Sequence, residues 1–336
     1  MNAQALHPPA SAALMPSYAF SRDPRSLLGP RTLAVFGFGS AAPAAATVGD
    51  PRYVRVGLQP LDGPAPYEVW TVDSTVELWR DGPLAGARST DLSFGHLQSS
   101  EEAAGTVDCA EQAYHLLDQH RSTVGNAHPH LLRIWNYLDA ITDGDGDDER
   151  YRQFCIGRAN ALSIADRALP AATAIGHRLG DRSLQVYWLS GSQPGRAVEN
   201  PRQLPAYRYP RRYGPRSPSF ARAMLGADAA RLPLLLSGTA AVVGHDSLHP
   251  ESVSDQLRET FRNFDSLLAT AARQQPGLAL HFDASSLLKV YLRDAESLPE
   301  ARSLLARLLP PDVPRLILEG DICRRELAVE IDGFHG

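Results

Sequence analysis

Apolar and polar positions change their period several times along this chain, and each change marks an element. Residues 32–38, 53–58 and 68–72 are β-branched or aromatic and bounded by Gly, Pro and Asp, which predicts strands. Over 106–120 the residues Val107, Ala110, Ala113, Tyr114 and Leu117 recur at helical spacing. A strand over 131–138, a polar turn over 143–149 and a helix from about 148 to 165 follow. The second half repeats this order, with strands within 232–244, a helix over 252–273 and a strand around Leu287, Lys289 and Tyr291. A helix over 298–308 and strands over 315–319 and 326–331 complete it. The helix over 252–273 has Ser252 or Ser254 as its cap, and Leu257, Phe261, Phe264, Leu267 and Leu268 form its buried stripe. Leu131-Leu132-Arg133-Ile134 and Leu287-Leu288-Lys289-Val290 stand in matching places. The expected fold class is α+β, with two copies of one module, each a mixed β-sheet with helices packed on one face. The expected boundaries are a loose Ala/Pro/Ser-rich tail over 1–25, a first domain over 26–180 and a second over 181–336.

Composition narrows the class. The chain has 336 residues, 43% hydrophobic and 21% charged, enough for two ordinary globular domains. A net charge of -5 argues against a nucleic-acid partner, which calls for a dominant basic surface. No apolar run reaches the roughly 18 residues of a membrane span, so no membrane partner is expected. Cys109, Cys155 and Cys323 are far apart and form no CxxC pair, which points to a reducing cytoplasm and against a disulfide framework or zinc-thiolate site. Lys289 is the sole lysine.

The candidate chemistry starts at residues 200–217, which hold five arginines, three tyrosines and four prolines. Proline excludes a helix interior or central strand there. Arginine forks and tyrosine hydroxyls on a stiffened loop suit a small anion with more than one acidic group. A solvated linker or nucleic-acid contact is the plainer alternative; the net charge and the very apolar stretch over 232–243 speak against both. Other signals are imitations. Gly37-Phe38-Gly39 follows a strand, but Pro43 and the alanines after it leave little room for a dinucleotide-binding helix. The acidic turn from Asp143 has Asp148 where a calcium loop needs glycine and Phe154 where it needs glutamate. His245 and His249 lack the zinc-helix context, His128-Pro129-His130 is isolated, and Ser237-Gly238-Thr239 is not a nucleophile elbow. No metal or cofactor is expected.

Three stretches, 200–221, 237–245 and 319–333, together resemble the chorismatases, bacterial enzymes that remove pyruvate from chorismate. The resemblance covers roughly residues 30–336. The second half is also similar to the RidA/YjgF fold in its Ser-Gly strand opening, its long helix with Gln256 and Glu259-Thr260, and Pro314-Arg315 followed fifteen residues later by Glu330. In small RidA proteins an arginine and a glutamate at that spacing line a subunit cleft.

This resemblance implies a cofactor-free reaction in which Glu330 protonates the enolpyruvyl methylene, a task for a carboxylic acid kept neutral by burial. Alternation places Glu330 opposite Leu327, Val329 and Ile331, on the non-core face; an exposed strand glutamate is its plain alternative. Cys323, seven residues before the glutamate, and Gly238 in the Ser-x-Thr strand hold the places that mark the aromatising branch of the family. That branch makes 3-hydroxybenzoate through an arene oxide, whose opening also allows 4-hydroxybenzoate. Cys323 would relay a proton or only shape the pocket. Arg158, Tyr207, Tyr213, Arg216, Gly238 and Arg315 are the expected substrate-binding residues, with Arg158 alternatively a structural ion pair. The alternatives are a hydrolytic chorismatase releasing a dihydroxycyclohexadiene carboxylate and, from another class, a non-catalytic binder of a shikimate-pathway acid. The long Arg/Tyr loop speaks against RidA-type imine hydrolysis. A monomer is the favoured state, with a homotrimer as the alternative.

Overall fold

The computed structural model describes residues 14–101, 105–123, 125–162, 164–227 and 232–336. Its first sheet has β1 (Met15–Ala19), β2 (Thr32–Phe38), β3 (Tyr53–Val56) and β4 (Tyr67–Thr71) in the order β1-β4-β2-β3, with the one-turn α1 (Ala45–Val48) between β2 and β3. The second unit runs β5 (Glu77–Asp81), β6 (Leu84–Arg88), β7 (Leu92–Ser100), α2 (Gly105–Ser122), β8 (His130–Asp139), α3 (Arg150–Ala161), β9 (Ala171–His177) and β10 (Ser183–Gly191). The third begins with β11 (Arg196–Val198), β12 (Ala223–Leu225), β13 (Leu234–Thr239) and the small hairpin β14 (Val242–Val243) and β15 (Asp246–Ser247). It continues with α4 (Val253–Gln274), β16 (Leu287–Leu292), α5 (Leu298–Leu308), β17 (Arg315–Glu319), β18 (Asp321–Ile322) and β19 (Val329–His335).

The duplication is visible in the strand order. One sheet reads β9-β8-β10-β7-β6-β5, with β18 added at its β9 edge; the other reads β17-β16-β19-β13-β12-β11. In both, a parallel pair (β8 with β9, β16 with β17) is joined through a helix, the connection that parallel strands require. The expected boundary near 180 is corrected by β10, which pairs along its length with β7 and along most of it with β8. The first module therefore ends at Gly191. The expected tail also shortens: residues 1–13 lie outside the described residues, and β1 pairs with β4 from Met15 onward.

The three sheets face one another around a shared aromatic core. Trp70 of the first sheet lies 5.2 Å from Trp135 of the second and 5.6 Å from Phe334 of the third, ring centre to ring centre. The helices cover outer faces. The α4 stripe packs as its spacing predicts, with Leu257, Phe264, Leu267 and Leu268 almost fully buried, and the Ser252 hydroxyl caps the helix by accepting from the Asp255 amide. The seam between second and third sheets is stitched by Ser237, whose Oγ donates to the Ala221 carbonyl and accepts from the Ala172 amide.

Candidate active site

Val329 and Ile331 point into the helix-covered core, so Glu330 and Asp332 project from the opposite face of β19. That face is not solvent. Asp332 is fully buried between the sheets, and Glu330, one pleat nearer the strand start, is 6% exposed at the floor of a cleft of about 420 Å3. The cleft opens on the seam between the modules, a usual place for a ligand pocket.

Among the described residues the Glu330 carboxyl makes no hydrogen bond or ion pair. Burial pushes its pKa up to about 8, and the nearby Asp332 charge adds to the rise; Arg133, Arg222 and Arg324 pull the other way without prevailing. Near neutral pH it therefore holds a proton. Gly238 lets it sit where it does, because a Cβ at that position would fall 1.9 Å from Glu330 Oε1.

Cys323 lines the same cleft. Burial, reinforced by Glu330, holds its thiol above the ordinary range, so it stands as S–H and not as a thiolate nucleophile. The strap that carries it is fixed by Arg293, whose guanidinium donates to the carbonyls of Ile322, Arg324 and Leu327 and pairs with Asp321 at 2.9 Å.

Sequence reasoning missed the cations of the cleft. Arg222 is 4% exposed and donates to the Leu204 carbonyl at 2.9 Å and to Tyr209 Oη at 2.7 Å, yet its buried Nε has no partner. Arg324 lies over the Tyr213 ring at 4.1 Å and over Tyr209 at 5.0 Å. A signal for Arg222 was present: a lone arginine inside the apolar run 220–225.

The Arg/Tyr loop brings Gln203, Tyr209, Arg212 and Tyr213 to the cleft lining and is itself tied down by ion pairs. Arg202 pairs with Glu259, Arg211 with Asp147 at 2.5 Å, and Arg212 with Asp246, so three of its arginines fasten the loop to the body. Tyr213 does line the cleft with Glu330, Cys323 and Gly238. Tyr207 and Arg216 are not among the lining residues, and Arg216 is exposed. Arg158 is buried on α3 with its guanidinium 5.1 Å from the Tyr114 ring, also outside the lining. Arg315 opens β17 and borders a separate surface depression with Tyr18 and Pro314. The one group of three potential metal ligands among the described residues is Asp139, His177 and Asp181. Asp139 is committed there to the amides of Gly180 and Arg182, and none of the three lines the Glu330 cleft.

The comparisons with known proteins bear on this cleft. The family described as "Chorismatase FkbO/Hyg5-like, N-terminal" matches residues 68–190, ending one residue before β10 does. A chorismatase of Streptomyces rapamycinicus is 35% identical over 280 residues, 79% of this chain and 81% of that protein. The chain belongs to the chorismatase family. A 3-hydroxybenzoate synthase of Streptomyces hygroscopicus is 36% identical over 214 residues, 60% of this chorismatase and 62% of that protein. A chorismatase crystal structure, 29% identical, matches with a TM-score of 0.85 over 97% of this chain and 99% of the other. The chorismatase fold thus spans all three sheets.

Proposed function

We propose that this chorismatase converts chorismate to 3-hydroxybenzoate and pyruvate without a metal or cofactor. The observation that carries the reading is Glu330, a buried carboxyl with no partner, held protonated at the floor of a cleft that also presents Arg222 and Arg324. Glu330 delivers its proton to the enol methylene of the enolpyruvyl ether. The ether carbon becomes electron-poor, the C3–O bond breaks as the C4 hydroxyl oxygen closes on C3, and pyruvate leaves. The resulting arene oxide opens with loss of a ring proton to give the aromatic acid, so the two products together contain all the atoms of chorismate. The hydroxyl proton returns the balance and re-protonates Glu330. Cys323, as S–H beside Glu330, donates to the oxide oxygen as it opens, and the proton lost from ring carbon C3 restores the thiol. Arg222 and Arg324 bind the two carboxylates by charge-assisted hydrogen bonds.

Because one chain supplies both walls of the cleft, we read the enzyme as active in monomeric form. No described helix is long and apolar enough to cross a membrane, and with three unpaired cysteines a cytoplasmic setting is proposed. The test is to incubate purified protein with chorismate alone and identify products by chromatography with mass detection. Pyruvate with 3-hydroxybenzoate, alone or beside the 4-isomer, is expected. Pyruvate with a non-aromatic dihydroxy acid would assign the hydrolytic branch, and no turnover by folded protein would leave an acid-binding protein.

A further inference from the structure

The two modules share one strand order, and in that order β10 of the first corresponds to β19 of the second. Glu330 stands opposite Tyr291 across β19 and β16, and Gln185 stands opposite Tyr137 across β10 and β8. The two tyrosine hydroxyls meet at 3.3 Å in the shared core. Gln185 and Glu330 thus lie on corresponding strands, each on the face turned away from its module's helices. Like Glu330, it faces a cavity at a seam between sheets, here the seam of the second sheet with β3 of the first. This cavity is about 490 Å3, slightly larger than the cleft at Glu330.

We propose that this cavity is a second small-molecule site, one that binds a one-ring carboxylic acid bearing a hydroxyl group and does no chemistry on it. Its polar groups are unevenly satisfied. Gln185 is 8% exposed; its Nε2 donates to the Arg55 carbonyl at 3.0 Å, but its Oε1 is buried with no partner and lacks a donor. A ligand hydroxyl supplies that donor. Arg55 donates through Nε to the Gly39 carbonyl at 3.1 Å, and among the described residues its two terminal nitrogens make no hydrogen bond or ion pair. They suit a carboxylate. His96, whose Nε2 lies 3.0 Å from the Pro51 carbonyl, is held neutral because burial pushes its pKa down to about 4. Arg55 is thus the cation of this cavity. Asp181 is exposed at its rim and accepts from the Ser183 amide, without pairing with Arg55. An amide cannot pass a proton to an enol ether, so the site binds without reacting. The inference stands on the groups of this cavity and does not need the reading of Glu330.

The test is equilibrium dialysis of 3-hydroxybenzoate and of benzoate, with chorismate turnover and thermal melting measured on the same samples. For 3-hydroxybenzoate two sites are expected in the native protein, one surviving in Arg222→Met. Arg55→Met should weaken that surviving site at least tenfold and leave turnover unchanged. Benzoate, lacking the hydroxyl, should bind it several-fold more weakly. Gln185→Glu, close in shape and independent of any folding defect in Arg55→Met, should abolish it by facing the ligand with an anion. A single site that vanishes with Arg222→Met, or a second site indifferent to Gln185→Glu, overturns the proposal.

Discussion

Glu330 and Asp332 project from one face of one strand, two residues apart, and both are buried. Asp332 Oδ2 accepts from Thr173 at 2.7 Å, Trp135 Nε1 at 3.0 Å, and Arg133 Nη2 and Tyr291 Oη each at 3.1 Å. Lys289 lies 3.8 Å from its other oxygen and 2.9 Å from Glu68, which in turn accepts from Trp70 Nε1 at 2.8 Å. Burial alone would strip the Lys289 ammonium of its proton, but the Glu68 and Asp332 carboxylates outweigh it and raise the pKa. Two acids and two bases thus balance inside the core. Glu330 is buried too, at the cleft floor, and has none of those partners. The difference teaches that partners decide what a buried carboxyl does: Asp332 is tied into an ion cluster, and Glu330, without one, is an acid with a proton to give.

The largest expected effect comes from removing that proton. Glu330→Gln should lower pyruvate release from chorismate by about 10³-fold, within the range of a lost general acid, while the circular dichroism spectrum stays native. Activity within tenfold of wild type would mean that another group donates.

Asp332→Asn attacks the other member of the pair. It leaves Arg133 and Lys289 facing an amide in a dry core, and one-sided removal from a buried ion cluster costs about 3–5 kcal/mol. The urea midpoint should drop accordingly. In the folded fraction, loss of the Asp332 charge lowers the Glu330 pKa from about 8. The groups left around Glu330, namely Arg133 on β8, Arg222 before β12, Arg324 on the strap and the neutral Cys323 thiol, then favour its anion. The alkaline limb of the pH–rate profile should move to lower pH; an unmoved limb would uncouple the two carboxyls.

Much of this pair was legible in the sequence. Period-two alternation placed Glu330 opposite Val329 and Ile331, and the matching runs at 131–134 and 287–290 announced the duplicated module. The alternation could not say that the second face of β19 is also covered, because that follows from three sheets closing on one another. Strand β9 escaped notice since Ala171, Ala172 and Ala174 carry little strand propensity, and its pairing to β8 and β18 holds it extended. The Arg/Tyr loop stood out by composition, yet three of its five arginines pair with Asp147, Asp246 and Glu259, partners at sequence distances that no local pattern reveals.

The cations sharpen the same contrast at smaller cost. Arg222→Met should reduce kcat/KM 10–100-fold, the worth of about 1.5–3 kcal/mol for a hydrogen bond to a charged group, mostly through KM. Arg216→Met and Arg315→Met, which alter residues outside the cleft lining, should stay within twofold. A loss in Arg216→Met equal to that in Arg222→Met would return substrate binding to the Arg/Tyr loop.

The smallest effect concerns stability. The Glu330 carboxyl titrates near its ordinary 4.5 in the unfolded chain and at about 8 when folded, so between those values the native state holds the extra proton. Its contribution to stability is complete below pH 4.5 and is lost as pH rises through 8. Glu330→Gln carries no such proton. Measured by urea unfolding from pH 5 to pH 8, the substituted protein should gain on wild type progressively, by about 1–3 kcal/mol at the upper end given some water in the cleft. Asp332→Asn, which breaks a buried ion cluster, should remain the less stable protein at both ends of the range. Parallel stability curves for Glu330→Gln and wild type would show that Glu330 gives up its proton in the folded state as readily as in the unfolded one, and the distinction between the two carboxyls would then rest on geometry alone.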